Sequence, residues 1–156
     1  MLSPLQEKLA EVLGLALAAT VVLDKVASRA DDAELEAMRR EAEEVQSRCA
    51  AIAKTCGDET HWDVLSHAQY VQRKASEMSA AWFKAATDAV QAYEFLAMAE
   101  AGEVAATAAL RGLGDGDGAV DDLVAYALPV QERHLQHALL RTAETAAAVL
   151  AATISA

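Results

Sequence analysis

Apolar residues recur at steps of three and four along most of this chain, which is the spacing of one face of an α-helix. One stripe comprises Leu5, Leu9, Val12, Ala16, Ala19, Leu23 and Val26, and the next comprises Leu35, Met38, Ala42, Val45, Cys49, Ile52 and Cys56. Pro4 suits the first turn of a helix, and Gly57 is a natural stop. The stripes predict one helix from Ser3 or Pro4 to about Arg29 and a second from the 30–32 turn to about Cys56.

Helical periodicity then continues almost unbroken over 58–112, a span that would make one helix about 80 Å long. We expect a break at Ser76 or Ser79, giving a short helix over 60–74 and a main helix over 79–111. Glycines predict a loop at 112–118. A last helix should cover 119–154, with a kink or a split near Leu128 caused by Pro129. The fold prediction is all-α, an antiparallel four-helix bundle with a short extra helix before the third main helix.

Composition and charge narrow the classes of protein that fit. A chain of 156 residues, 54% of them hydrophobic, suits a single domain with its own core over 1–156. The net charge of −11 argues against a nucleic-acid partner, which needs a basic stripe. The charge-free apolar runs at 12–23 and 145–156 are too short to span a bilayer, so no membrane partner is expected. The two cysteines, seven apart on one helix, are too far apart to bridge; with no evident signal peptide, this predicts a cytoplasmic protein.

Carboxylates interrupt the apolar stripes of the last two main helices. The third main helix carries Ala86, Ala89, Tyr93, Leu96, Glu100, Glu103, Thr107 and Leu110, and the last carries Leu128, Glu132, Leu135, Leu139, Thr142, Ala146 and Val149. Glu100, Glu103 and Glu132 should therefore point toward other helices. An inward carboxylate needs a metal ion, a cation or a proton. The candidate cations are Arg111, Arg133 and Arg141.

Two histidines lie close to Glu132 on the last helix. His134 and His137 could act with Glu132 as metal ligands, but His134 is rotated about 200° from Glu132 on an ideal helix. The sequence contains no Glu-x-x-His, and the first two helices carry no acid on their apolar stripes. The favoured interpretation is a pair of surface histidines. No nucleophile-and-base spacing, phosphate loop or nucleotide fingerprint is present, which argues against hydrolytic or nucleotide-dependent catalysis.

A run in the third main helix carries a family resemblance. The run is Gln91-Ala92-Tyr93-Glu94, and small residues follow it. Together with the order of the helices, this run resembles the ferritin-like superfamily. Within that superfamily it is most similar to the small stress-associated bacterial proteins of the YciF type, which have His-Tyr-Glu at this place. The resemblance spans most of the chain and implies a helical bundle connected with the stress response.

The resemblance also implies metal-ligand positions, of which this sequence keeps only some. Glu94 matches the family's glutamate, whereas Ala92 replaces its histidine. Glu41 and Glu44 fall in the carboxylate-rich stretch of the second helix, again without the histidine, and Glu132 falls in the acidic part of the last helix. The resemblance therefore implies a metal centre with degenerate ligands.

Three hypotheses about function follow. The favoured one is a non-catalytic ferritin-like bundle without a cofactor, acting as a structural or interaction module; apolar ends on the first and last helices predict a homodimer, and a further protein partner is compatible. The first alternative is an iron or manganese carboxylate protein that oxidises or stores metal, with ligands drawn from Glu100, Glu103, Glu132, Glu94, Glu41, Glu44, His134 and His137. The second alternative is an apolar small-molecule or lipid binder that uses a slot between alanine-rich helices.

Overall fold

The computed structural model describes residues 1–85 and 88–155, which form helices and contain no β-strand. The helices are α1 (Pro4–Ala27), α2 (Glu34–Thr55), α3 (Asp58–Ala85), α4 (Ala89–Leu113) and α5 (Gly118–Ile154). The all-α prediction is therefore confirmed. Ala86, the first position of the predicted third stripe, lies outside the described residues. Within the described part of the chain, no helix combines the length and apolarity needed to cross a membrane.

Side-chain caps fix the starts of three helices. Ser3 and Gln6 form a reciprocal capping box ahead of Pro4 at the start of α1. Asp88 accepts a hydrogen bond from the backbone N–H of Gln91 at the start of α4, and Asp117 accepts from two backbone N–H groups at the start of α5. Each such cap contributes about 1 kcal/mol to helix stability. The short α4–α5 turn is thereby set by local sequence.

The predicted break at Ser76 or Ser79 and the predicted split at Pro129 are wrong. The helix before the third main helix is not short, because α3 has 28 residues and continues through Ser76 and Ser79. The Ser79 hydroxyl donates to the backbone carbonyl of Ser76 and accepts from Lys25, so it is satisfied inside the helix and caps nothing. The last helix is not split either: α5 runs through Pro129. Buried residues before and after the proline, Ala127 and Val130, pack both halves against the other helices.

Four helices form a closed ring of contacts in the order α1, α2, α5, α4. The helix α3 lies outside this ring and packs mainly on α1. Its close approach depends on Gly14, because a Cβ atom there would lie 2.5 Å from the carbonyl oxygen of Ala68 and 2.7 Å from Cβ of Val71. Only glycine fits this crossing of α1 and α3 without a shift of the backbone.

Contacts along the helices give their relative directions. In α1 and α2 the pairs Asp24–Arg39 and Ala16–Gln46 run in opposite senses along the chain, so these helices are antiparallel. The helix α5 is antiparallel to α2, because Glu41 contacts His134 while Asp32 contacts Arg141. It is also antiparallel to α4, because Glu100 contacts His134 while Glu103 contacts Gln131. In contrast, α3 runs parallel to α1, since Gly14 faces Val71 and Lys25 contacts Ser79.

The apolar interior is divided into two clusters along the helix axes. One contains Leu13 and Leu110 and lies toward the α4–α5 turn, and the other contains Met38 and Leu96 and lies toward the α1–α2 turn. The buried charged and amide side chains of α4 and α5 occupy the sequence positions between these clusters. The ring of helices therefore carries a polar layer at mid-height.

Candidate functional site

The central polar layer consists of five side chains from three helices: Glu41 of α2, Glu100 and Glu103 of α4, and Gln131 and His134 of α5. Glu100, Glu103, Gln131 and His134 are 1%, 5%, 2% and 3% exposed, respectively. The neighbouring α1 residues are apolar, including Ala18 and Ala19. Polar groups in such a place must be paired, because burying an unpaired charge costs several kcal/mol.

His134 connects α5 with the two helices that flank it. Its Nε2 atom lies 2.6 Å from Oε2 of Glu41, and its Nδ1 atom lies 3.5 Å from Oε2 of Glu100. The second separation is an ion-pair contact, longer than an ordinary hydrogen bond. Glu41 also accepts a hydrogen bond from the guanidinium of Arg133 at the bundle surface. The imidazole therefore stands between two carboxyl groups.

These contacts set the charge of the layer. Burial alone would lower the pKa of His134, but Glu100 and Glu41 raise it above its ordinary value. Burial alone would raise the pKa of Glu41, whereas the hydrogen bonds from His134 and Arg133 bring it below its ordinary value. Near neutral pH the arrangement therefore favours an imidazolium facing an ionised Glu41.

Glu103 is in a different electrostatic state. Its Oε2 atom accepts a hydrogen bond from Nε2 of Gln131 at 3.3 Å. Burial raises the pKa of Glu103 well above its ordinary range, and the nearby Glu100 adds to this effect. A proton on Glu103 is the simplest way to bury this second carboxyl of α4 beside the first.

A second polar network closes the end of the ring at the α1–α2 turn. Oδ2 of Asp32 accepts a hydrogen bond from the Tyr93 hydroxyl at 2.6 Å and lies 2.8 Å from Nε2 of His137 and 3.4 Å from Nε of Arg141. Burial alone would raise the pKa of Asp32, but the contacts with Tyr93 and His137 lower it. Burial and the bond to Asp32 raise the pKa of Tyr93 to about 12. These residues tie α4 and α5 to the start of α2.

Some of the predicted site residues lie in these networks and others do not. Glu100 and Glu103 point inward, as the stripe of the third main helix predicted. The inward placement of Glu132 is wrong, because this side chain is exposed. Glu94 and Glu44, which the family resemblance nominated, are also exposed, and Glu44 pairs with Arg48 on the surface of α2.

The assignments of the histidines and of the second helix also change. A surface pair is wrong for His134, which is buried, while His137 is partly buried against Asp32. The first two helices were expected to send no acid inward, yet Glu41 of α2 reaches His134. Asp32 and Tyr93 form a network that the stripes of apolar residues did not predict.

The error in α5 has one geometric cause. The buried positions are Val120, Leu123, Val124, Ala127, Val130, Gln131, His134 and Ala138. They lie one residue before the predicted stripe, a rotation of about 100° that exchanges Glu132 for Gln131 and Leu135 for His134. A stripe through Leu123, Ala127 and Ala138 was available as a signal. It was weak because alanine occurs on several faces of this helix.

The chemistry open to the central polar layer is limited by its internal pairing. Within residues 1–85 and 88–155, no group of three or more His, Cys, Asp or Glu side chains is placed to hold a metal ion. Two buried atoms, Oε2 of Glu100 and Oε1 of Gln131, have no hydrogen-bond partner. Comparisons of this chain with protein-family models, curated proteins and solved structures find no match. The inference about function therefore depends on the geometry of the site and on the surface.

Proposed function

We propose that this chain is a non-catalytic four-helix bundle of the ferritin-like kind, with α3 as an additional helix, that acts as a dimeric structural or interaction module. The observation that carries this proposal is the position of His134 between Glu41 and Glu100. In a bundle with a metal centre, the cation at that place would be the metal, which neutralises the inward acids. Here the protein supplies the positive charge itself.

The remaining acids of the layer need no added cation. Glu41 has Arg133 as a second partner, and Glu103 is bound by Gln131 and favoured in its protonated form. A buried charge network whose counter-charges lie inside the chain can stabilise one arrangement of the helices without a bound metal ion. This pairing supports a structural role for the polar layer, with the activity of the protein on its surface.

An iron or manganese carboxylate centre is the second candidate, because one observation favours it. Two buried atoms of the layer that lack a hydrogen bond within the described part of the chain, Oε2 of Glu100 and Oε1 of Gln131, are oxygens of the kind that hard cations bind. Glu103 and His134 are the neighbouring side chains that could join them after a change of protonation.

Metal binding separates the two candidates. The protein, purified without a histidine tag, is incubated with ferrous iron under anaerobic conditions or with Mn²⁺, desalted, and analysed by elemental mass spectrometry and thermal melting. We expect far less than one ion per chain and a melting temperature that does not respond to metal or chelator, since only a ligand of the folded state stabilises it. Stoichiometric metal that disappears in Glu100→Gln but persists in the exposed Glu132→Gln control would establish the metal centre instead.

The surface that supports self-association lies on the C-terminal half of α5. One stripe of exposed apolar residues runs along it at helical steps of three and four: Leu139, Ala143, Ala146, Leu150 and Ile154. Leu140 and Val149 are exposed beside this stripe. After Glu144 the described part of this helix carries no charged side chain. Two copies, each of net charge −11, can meet at this stripe without bringing like charges together. A two-fold pairing of the same surface on both chains is the simplest closed assembly.

Substitution in this stripe tests the dimer. Leu150→Glu should convert a dimer into a monomer in sedimentation equilibrium, because pairing would bury two carboxylates; a loss of affinity of about 100-fold corresponds to roughly 3 kcal/mol. Leu113→Glu is the control. It makes the same change at an exposed residue at the C-terminal end of α4, beside the α4–α5 turn, and it should leave the assembly unchanged. A wild-type protein that stays monomeric at all concentrations would contradict the proposed dimer.

A further inference from the structure

An apolar groove opens on the outside of the ring, between α3 and α4. Both helices pack on α1, but between them they leave a cavity of about 240 Å³. Residues 15–22 of α1 provide its floor, Met78 of α3 lines one wall, and Phe95 and Met98 of α4 line the other. Over the length of α4 from Phe95 to Glu103, the groove extends for about 12 Å by helix rise.

Within the described part of the chain, Glu103 is the one ionisable residue that lines this otherwise apolar groove, and its carboxyl group is held by Gln131 of α5. Glu103 is 5% exposed, lies at the opposite end of the α4 wall from Phe95, and has Glu100 one turn before it on α4. The other residues that line the cavity, within the described part of the chain, are apolar or glycine. An apolar slot with a single buried acid is a common design for a small ligand with one polar group.

The mouth of the groove is open and adaptable. A Cβ atom at Gly102, which lines the cavity, would meet no other atom within 4 Å. Met78 and Met98 are 67% and 53% exposed, and methionine side chains can change shape to cover a ligand. Glycine inside a helix lowers stability by about 0.5–1 kcal/mol relative to alanine. Access to the groove would explain why glycine stands at position 102 although a side chain would fit there.

We propose that this groove binds a lipophilic primary amine, with its alkyl chain on α1 between α3 and α4 and its ammonium group against Glu103. Charge selects the amine over a fatty acid of the same length. A carboxylate ligand would meet Glu103 and Glu100, whereas an ammonium group would be attracted to both. The net charge of −11 also favours the approach of a cation.

Binding does not require the groove to take up an unpaired charge. The titratable groups that interact with Glu103 are Glu100 on α4, which also contacts His134 on α5, and Cys49 on α2, and burial raises the pKa of Glu103. The alkylammonium ion that binds displaces the proton of Glu103, which passes to solvent, and becomes the partner of the resulting carboxylate. The pair is neutral as a whole, which keeps its burial compatible with the apolar walls. This inference is independent of the dimer proposed above.

Calorimetric titration with decylamine, decanol and decanoate, each below its critical micelle concentration, tests the proposal on the full chain. We expect one molecule of decylamine per chain, bound at least about tenfold more tightly than decanol, because a charge-assisted hydrogen bond is worth more than a neutral one. Decanoate should bind most weakly. In Glu103→Gln, decylamine should lose about tenfold or more in affinity, while decanol should change by less than about threefold.

A second variant locates the site independently of the carboxyl group. Gly102→Leu should fill the mouth of the groove and abolish the binding of decylamine and decanol, with helix content and melting temperature retained. Gly112→Leu is the matched control, since Gly112 is also in α4 with nothing within 4 Å of its Cβ position, but it does not line the groove. Equal affinity for amine and alcohol, unchanged binding in Gly102→Leu, or no saturable binding would each overturn the proposal. If Glu103→Gln does not fold, the Gly102 variant still decides the location.

Discussion

Replacement of His134 by leucine should lower the free energy of unfolding by about 3–5 kcal/mol, the range for the loss of one partner from a buried ion pair. The imidazole is 3% exposed and stands between Glu41 and Glu100, so its removal leaves the buried Glu100 without a cation and the partly buried Glu41 with Arg133 alone. Leucine fills much of the volume, so the loss should be mainly electrostatic. At about 2–4 °C per kcal/mol for a chain of this size, the melting temperature should fall by about 6–20 °C.

Chemical denaturation and thermal melting measure this effect, with His67→Leu as the control. His67 is a partly exposed histidine of α3, and its replacement should change stability by less than about 0.5 kcal/mol. The double variant His134→Leu with Glu100→Leu should recover part of the loss, because removal of both partners leaves fewer unpaired groups. Strictly additive single effects would show that His134 acts through packing alone.

The pH dependence of stability provides a further readout of the same contact. The pKa of His134 is raised on folding, so above about pH 6.5 the folded chain holds a proton that the unfolded chain has lost. This stabilisation is complete below that pH and is lost as the pH rises through the folded pKa. Glu103 acts in the same direction, while the lowered pKa of Glu41 adds stability that is lost only in acid. The free energy of unfolding should therefore fall less steeply toward alkaline pH in His134→Leu than in the wild type.

Gly14→Ala should lower the free energy of unfolding by about 1–3 kcal/mol or more, because it forces α3 away from α1. The added Cβ would lie 2.5 Å from a backbone oxygen and 2.7 Å from the Cβ of Val71, and neither atom can move aside as the end of a flexible side chain could. Both tryptophans, Trp62 and Trp82, lie in α3. Trp62 is already 66% exposed, so the signal comes from Trp82, whose fluorescence should shift toward that of solvent-exposed indole as α3 loosens.

Gly102→Ala is the matched control for this prediction. It makes the same chemical change in the interior of a helix, but at a position with no atom within 4 Å, and it should stabilise the protein by up to about 1 kcal/mol. Opposite signs for the two substitutions, measured by denaturant unfolding, would support the steric explanation. A neutral or stabilising Gly14→Ala would mean that α1 and α3 are not in close contact at this point.

The sequence predicted individual helices better than their interruptions. The stripes of α1 and α2 are confirmed by the burial of residues such as Val12, Leu23 and Val45, and that of α4 by Leu96 and Leu110. In α2 the charged residues lie away from the apolar stripe, so the orientation of this helix is readable from its sequence. The expected breaks depended on the general tendencies of serine and proline, which tertiary packing on α1 and around Ala127 overrides.

The candidate site was predicted in part because its residues come from separate helices. Glu100 and Glu103 were identified from α4 alone, since their stripe is unambiguous. The contact between Glu41 and His134 joins residues 93 positions apart, and it depends on the rotation of two helices about their axes. Sequence periodicity gives the face of each helix only relative to itself, and in α5 the many alanines left that face open to an error of one residue. Burial of His134 therefore could not be found without the packed structure.

The polar layer at mid-height also has a consequence for motion along the helix axes. Alanine-rich surfaces are nearly smooth, so α5 could slide along α2 and α4 by one turn, about 5.4 Å, with small changes in apolar contact. Such a slip would bring Gln131 or Ala138 opposite Glu41 and leave its carboxylate without the imidazolium. The polar layer thus favours one position of α5 along the helix axes among several that have similar packing energy. We expect α5 to occupy a single axial position relative to α2 and α4 in the folded chain.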